Sequence, residues 1–367
     1  MSSIERWIRP EVRRLPDGAS GVDPYAVDGA GGMGEETILR LHYNENVLGA
    51  SPAVRRCLAR FDRWHRYPEE TQRTAREALA QYAGVDPGQI LLTNGGEEFI
   101  TLLCHLFVGS GDTAIVPEPT FFVYSLHTRI AGGRPVVVPR RPADGYALDV
   151  RAIARRIGRR TRLIFACCPN NPTGNLTPVE DLRVLLDTGV PVLVDEAYYE
   201  FSGQTVIPLL RDYDNLVILR TMSKWAGLAG LRVGYGLLSP RVARHLWKVK
   251  MLFNVNAAAQ AAVCASLEDR EFLLGNVRRL MRERDRLTAR LGTVGYLWPL
   301  PSHTNFILCE VRRGSAHRLR DALRARGILI QSYETRYLPN AIRISVGTPA
   351  QSARLLRALA AITPSSL

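Results

Sequence analysis

Val190-Pro191-Val192-Leu193-Val194-Asp195 is a short apolar, β-branched run that stops on a carboxylate. Its length and composition predict a strand buried on both faces, with Asp195 emerging at the C-terminal edge. Runs of the same kind lie on either side, at Leu163–Cys167 and Leu216–Leu219, and further out at Ile90–Thr93, Thr113–Val116 and Arg134–Val138. Helical segments separate them. That alternation predicts an α/β fold built on a mostly parallel sheet with helices on both faces. In such sheets ligands gather where strand ends meet loops, which puts Asp195 at a ligand-binding edge.

The chain has 367 residues, 46% of them hydrophobic, enough for two domains. Basic residues outnumber acidic ones 48 to 35, for a formal charge of +13. The arginines are scattered along amphipathic stretches such as Arg278–Arg290 and form no basic block interleaved with aromatics. This favours a solvated surface over a nucleic-acid face. Six cysteines show no CxxC pair and no metal-ligand spacing, so buried thiols in a reducing compartment, and no metal, are expected. No apolar stretch approaches the roughly 20 residues of a membrane span, and no signal-peptide core follows the N-terminal arginines. A cytoplasmic protein is expected.

Residues 20–36 are rich in Gly and Asp without periodicity, and read as an extended arm. Helical spacing follows at Val54, Leu58 and Phe61 and over Thr74–Tyr82. Beyond Ser239 helix is predicted over Val242–Asp269 and Glu271–Leu291. Strand candidates Asn305–Glu310 and Ala341–Val346 then flank a helix over Ala316–Arg326, and a helix over Pro349–Ala361 closes the chain. The expected division is an arm over 1–46, a large domain over 47–245 and a smaller α/β domain over 246–367.

The most specific chemical signal is Leu219-Arg220-Thr221-Met222-Ser223-Lys224-Trp225-Ala226-Gly227-Leu228-Ala229-Gly230-Leu231-Arg232. It follows an apolar strand and sets a potentially nucleophilic amine beside two hydroxyls, small residues and a fixed cation. Together these suit an aldehyde that carries a phosphate. Gly95-Gly96-Glu97-Glu98 follows another strand and opens a helix, so the backbone amides of Gly96 and Glu97 can face an anion. Further strings recur in order: Asn44-Glu45-Asn46, Arg66-Tyr67-Pro68-Glu69, Pro119-Thr120-Phe121-Phe122-Val123-Tyr124, Pro169-Asn170-Asn171-Pro172-Thr173-Gly174, Asp195-Glu196-Ala197-Tyr198, and Arg343.

On these strings, from about Pro24 to Thr348, the sequence resembles the fold type I pyridoxal phosphate enzymes. Within them it is similar to the class I/II aminotransferases and their histidinol-phosphate aminotransferase group. The resemblance implies a seven-stranded large domain and pyridoxal 5′-phosphate held by Lys224 as a Schiff base. It implies Asp195 on the pyridine nitrogen, Asn171 and Tyr198 on the phenolic oxygen, and Tyr124 stacked on the ring. Gly96, Glu97, Thr221, Ser223 and Arg232 would take the phosphate. Tyr67 would reach the cofactor phosphate of a neighbouring subunit, making a homodimer. Lys224, Asp195 and Tyr198 are the implied catalytic set, and Arg343, Tyr25, Asn46 and Gln331 the implied substrate contacts. An amino donor and a 2-oxo acid would exchange an amino group by ping-pong kinetics, with Lys224 as base on the substrate α-carbon and then as acid on the cofactor imine carbon.

Departures concentrate around the substrate. Gln331 stands where the group usually has a second arginine, Val47 replaces a proline, and Phe253 replaces a tyrosine. A neutral Gln331 removes a cation from phosphate recognition. A phosphate-free aromatic or other amino acid therefore remains open as substrate, as does the related decarboxylation of threonine phosphate. A non-catalytic ligand sensor that kept the fold is a further alternative, against which Lys224, Asp195, Tyr198, Asn171 and Arg232 are all intact.

Overall fold

The computed structural model describes residues 4–16 and 37–363. The arm expected over 20–36, and Tyr25 with it, lies outside the described residues. The strands are β1 (Leu39–Arg40), β2 (Ile90–Thr93), β3 (Thr113–Glu118), β4 (Arg134–Pro139), β5 (Thr161–Cys167), β6 (Val192–Asp195), β7 (Leu216–Thr221), β8 (Gly234–Leu238), β9 (Leu297–Pro299), β10 (Phe306–Val311), β11 (Ile328–Leu329), β12 (Gln331–Thr335) and β13 (Leu338–Ser345). Seven of them make one sheet in the order β2-β8-β7-β6-β5-β3-β4. The pairs β3/β4, β3/β5, β5/β6 and β6/β7 are parallel, and β8 is antiparallel to both β7 and β2. This is the mostly parallel seven-stranded sheet that the sequence led us to expect.

Strand residues alternate between two apolar layers. Val192, Val194, Leu216 and Ile218 pack on one face, and Leu193, Val217 and Leu219 on the other. Fully burying one such side chain contributes about 1.5–3 kcal/mol. Strands fixed from both sides hold their C-terminal ends in place, and Asp195 and Thr221 sit at those ends.

β8 was not foreseen. Gly234-Tyr235-Gly236-Leu237-Leu238 lacks β-branched residues, yet its glycines are required by the helix Gly96–Phe107 that lies against it. A Cβ on Gly236 would fall 2.0 Å from the Phe99 ring, and one on Gly234 would fall 2.5 Å from the Gly96 nitrogen. The close approach brings the start of that helix to the edge of the sheet.

The helix expected over Val242–Asp269 is broken. Helices Pro240–Val249 and Ala257–Glu268 are separated by a turn in which Phe253 has φ 53°. Asparagine side chains cause the interruption. Asn256 accepts a 2.8 Å bond from the Ala259 nitrogen and so starts a new helix, while the Asn254 amide donates to the Leu92 carbonyl at 3.2 Å. The long helix Arg270–Leu291 follows.

The C-terminal layer is an antiparallel sheet in the order β12-β13-β10-β9, flanked by helices Ala316–Arg324 and Pro349–Ala360. β1 pairs parallel with β11 as a separate two-stranded sheet, and the Leu41 carbonyl then accepts from the Ser345 nitrogen of β13 at 2.9 Å. The segment 41–46 thereby lies between the two sheets, where it meets both Lys224 and Arg343. Among the described residues no helix is long and apolar enough to cross a membrane.

Candidate active site

Lys224 lies three residues beyond the end of β7 and its Nζ donates to the Tyr43 carbonyl at 2.9 Å. Burial, then the cations of Arg343 and Arg232, lower its pKa to about 8, against an opposing pull from Glu45. A larger share of neutral amine at neutral pH makes it a better nucleophile and base. The neighbouring Trp225 is fully buried and anchors the loop; its ring is stacked with Tyr82 at 5.4 Å between centroids.

Asp195, 5% exposed, ends β6. Burial pushes its carboxyl up to about 6, although two hydrogen bonds oppose the rise. Those bonds come from the Tyr124 hydroxyl at 2.5 Å and the Ala197 nitrogen at 3.0 Å. Glu196 points to the other face and pairs with Arg220 at 2.8 Å, both side chains 2% exposed. Arg220→Met leaves that carboxylate buried without its cation. The expected cost is about 3–5 kcal/mol, measurable as a fall in the urea midpoint.

Arg343, in the middle of β13, reaches the same space from the small sheet. Its Nη1 donates to Asn171 Oδ1 and its Nη2 to the His42 carbonyl, each at 2.6 Å, and its Nε is buried without a hydrogen-bond partner among the described residues. Gln331 is its cross-strand neighbour, so both side chains leave the sheet on one face. Tyr198, 3% exposed, accepts from Asn44 Nδ2 at 3.0 Å. Burial raises its pKa, and the Arg343 cation opposes that. Arg343 thus acts on both Tyr198 and Lys224.

The third part is the start of the helix Gly96–Phe107. Gly95, at φ 86°, occupies the cap position, and no side chain among the described residues caps the helix. Its missing Cβ leaves room for the Arg232 guanidinium, whose Nη2 lies 2.5 Å from where that carbon would be. Ser223 and Thr221 stand nearby on the lysine loop, with Thr221 Oγ1 accepting from the Ser223 nitrogen at 3.1 Å. Open amides at a helix start, two hydroxyls and an arginine form an anion cradle. The Glu97 side chain turns aside to His127, so the residue offers the cradle only its backbone.

Three expected contacts are placed differently. Tyr124 is completely buried, its ring stacked on Phe165 at 4.7 Å and its hydroxyl on Asp195. It therefore supports Asp195 from within the core and is not a ring laid over a ligand. The half-buried Phe121, edge-on to Tyr124 at 5.8 Å, is the better placed aromatic of that string. Asn46 is no free substrate contact either. Its amide donates to the Trp225 carbonyl at 2.9 Å and accepts from the Leu48 nitrogen at 3.0 Å, so it straps the lysine loop. The asparagine that touches a site residue is Asn44, two positions earlier. Its left-handed backbone, φ 54°, turns the amide to Tyr198, and no spacing rule distinguishes the two. Tyr67 stands apart from the cluster. It is 81% exposed, stacks on Phe253 at 4.5 Å, and borders a groove of about 710 Å³ with Trp64 and Leu252.

An amine, a buried carboxylate, an amide beside a tyrosine and an anion cradle converge on one space. This donor set fits a ligand carrying an aldehyde, a basic ring nitrogen and a phosphate. The class I and II aminotransferase family model matches residues 36–359. The histidinol-phosphate aminotransferase of Dehalococcoides mccartyi (strain CBDB1) is 44% identical over 322 residues, 88% of this chain and 89% of that one. That of Roseiflexus castenholzii is 39% identical, over 98% of each chain. Among solved structures, histidinol-phosphate aminotransferase from Sinorhizobium meliloti in complex with pyridoxal-5′-phosphate matches with a TM-score of 0.86 at 27% identity, covering 100% of this chain and 98% of that one. Matched over residues 36–359 by the family model and over most of its length by these relatives, the chain belongs to the class I and II aminotransferases.

Proposed function

We propose that this enzyme uses pyridoxal 5′-phosphate to exchange an amino group between an amine of the histidinol phosphate type and a 2-oxo acid. The observation that carries this is the convergence of Lys224, Asp195 and the uncapped helix start at one sheet edge, with Arg343 entering from the small sheet. When bound, the cofactor supplies the electron sink for bond breaking at the substrate carbon. Lys224 would hold it covalently, give way to the substrate amine, take the proton from the substrate carbon and deliver it to the imine carbon of the cofactor. The Asp195 carboxylate keeps the ring nitrogen protonated. Asn171, held by Arg343, and Tyr198, held by Asn44, would hydrogen-bond the phenolic oxygen. Gly96 and Glu97 backbone amides, Thr221, Ser223 and Arg232 hold the phosphate. Phe121 would be the aromatic side chain available to the ring. The open position of Tyr67 beside a large groove supports its use by a second subunit of a homodimer. The free state of the six cysteines supports a cytoplasmic setting.

Arg343 takes the acidic group of the substrate, and its Nε, without a partner among the described residues, adds a donor. Relatives at 39% and 44% identity named histidinol-phosphate aminotransferase favour a phosphorylated amine. Gln331 beside Arg343 favours a second reading, a phosphate-free aromatic or other amino acid. A half-reaction screen separates them: holoenzyme is mixed with histidinol phosphate and with aromatic, basic and small amino acids, and loss of the bound-cofactor absorbance is followed. Rapid conversion with histidinol phosphate supports the first reading; conversion only with unphosphorylated amines supports the second. Gln331→Arg puts a second guanidinium next to Arg343. It is expected to raise kcat/KM for histidinol phosphate relative to unphosphorylated amines by about tenfold. No relative gain would remove Gln331 from substrate recognition.

A further inference from the structure

Two consecutive glutamates open the phosphate-facing helix, and each carboxylate is drawn to the positive helix start it stands on. Glu98 is accounted for: it accepts from the Asn94 nitrogen, and from Asn254 Nδ2 at 2.9 Å. Glu97 sits one position closer to the cradle, and Arg232, the cradle's own cation, acts on it. It is therefore an internal competitor for the amides and the guanidinium that a phosphate needs. In the structure that competition does not occur, because Glu97 Oε1 is 3.1 Å from His127 Nε2. His127, on the helix Val123–Ile130, is itself fixed: Thr101 Oγ1 lies 3.1 Å from its Nδ1, and the same hydroxyl donates to the Glu97 carbonyl at 3.0 Å. The His127 side chain is 12% exposed and that of Glu97 49%, so the histidine is the anchored partner and the carboxylate the one free to swing.

We propose that His127 is a positioning residue that holds the Glu97 carboxylate away from the phosphate cradle, and so sets the affinity for the phosphate end of the cofactor. This rests on the cradle reading above. Without His127, Glu97 turns toward Gly95 and Arg232 and opposes the phosphate by both charge and occupancy.

The test is equilibrium binding of pyridoxal 5′-phosphate, and of pyridoxal, to the full-length enzyme. Wild type, His127→Ala, Glu97→Gln and the double variant are compared. His127→Ala is expected to weaken the phosphorylated cofactor about tenfold or more while leaving pyridoxal at the wild-type value. Adding Glu97→Gln removes the competing charge and is expected to restore affinity. A role confined to folding would move both ligands together and would not be rescued by Glu97→Gln. Undiminished affinity in His127→Ala, equal losses for the two ligands, or a double variant as weak as His127→Ala would each overturn the inference alone. A wild-type enzyme that binds both ligands equally would overturn the cradle reading and this inference with it.

Discussion

Replacing Lys224 with alanine is expected to abolish covalent capture of the cofactor and to lower turnover by about a thousandfold or more, since one residue is both nucleophile and proton carrier. The chain has only three lysines, at 224, 248 and 250. The last of these donates to the Met251 carbonyl at 2.8 Å and to Asn254 at 3.1 Å, and so belongs to the broken helix. No other amine is held at the sheet edge among the described residues. Borohydride reduction followed by peptide mass analysis reads the result directly; a reduced cofactor on the Lys224→Ala chain would refute the assignment. The pKa of about 8 adds a pH signature. The neutral amine is the reactive form, so the rate of cofactor capture by cofactor-free enzyme should rise with pH and level off above about 8. A rise that continued toward 10.5, the ordinary lysine value, would mean that burial and the Arg343 and Arg232 cations do not act on this amine.

What could be read from the sequence follows from how each segment is buried. β6 and β7 are apolar on both faces and carry their chemistry at their C-terminal ends, so Val192–Asp195 and Leu216–Thr221 were legible within two residues. β8 was not, because the close contact of Phe99 and Gly96 requires glycine where strand patterns show β-branched residues. Helical periodicity ran through Asn254 and Asn256, and only their side-chain bonds reveal the break. Within the site, the backbone strings located Lys224, Asp195, Asn171 and Arg343, but side-chain direction was beyond them. Tyr124 and Phe121 lie in one aromatic string, and which of them is buried depends on the packing of Phe165 beneath Tyr124. Asn44 reaches Tyr198 through a left-handed backbone, while Asn46, the expected contact, is tied to Trp225. The Arg220–Glu196 pair is likewise a product of the two strands lying side by side, since the partners are 24 positions apart.

Asp195→Asn separates stability from chemistry. The buried carboxyl has its pKa raised from 3.8 to about 6, so the folded state holds that proton more tightly than the unfolded one. Its contribution to stability is complete below about pH 4 and is lost as pH rises through about 6. In the cofactor-free enzyme at pH 7.5 the burial of this charge costs on the order of 2–3 kcal/mol, which a neutral asparagine does not incur. Cofactor-free Asp195→Asn should therefore melt above wild type at pH 7.5, with the difference gone near pH 4. A cation opposite the carboxylate reverses the balance, because a protonated ring nitrogen favours the charged form and pulls its pKa back down. Loaded wild type should recover the deficit, while the loaded variant should lose about a hundredfold to a thousandfold in kcat, the range for removing one preorganised charge contact. Thermal denaturation at the two pH values and single-turnover kinetics together test both halves. Retained kcat would refute the ring-nitrogen role of Asp195. A lower melting point for the cofactor-free variant at pH 7.5 would mean that the Tyr124 and Ala197 hydrogen bonds outweigh the cost of burial.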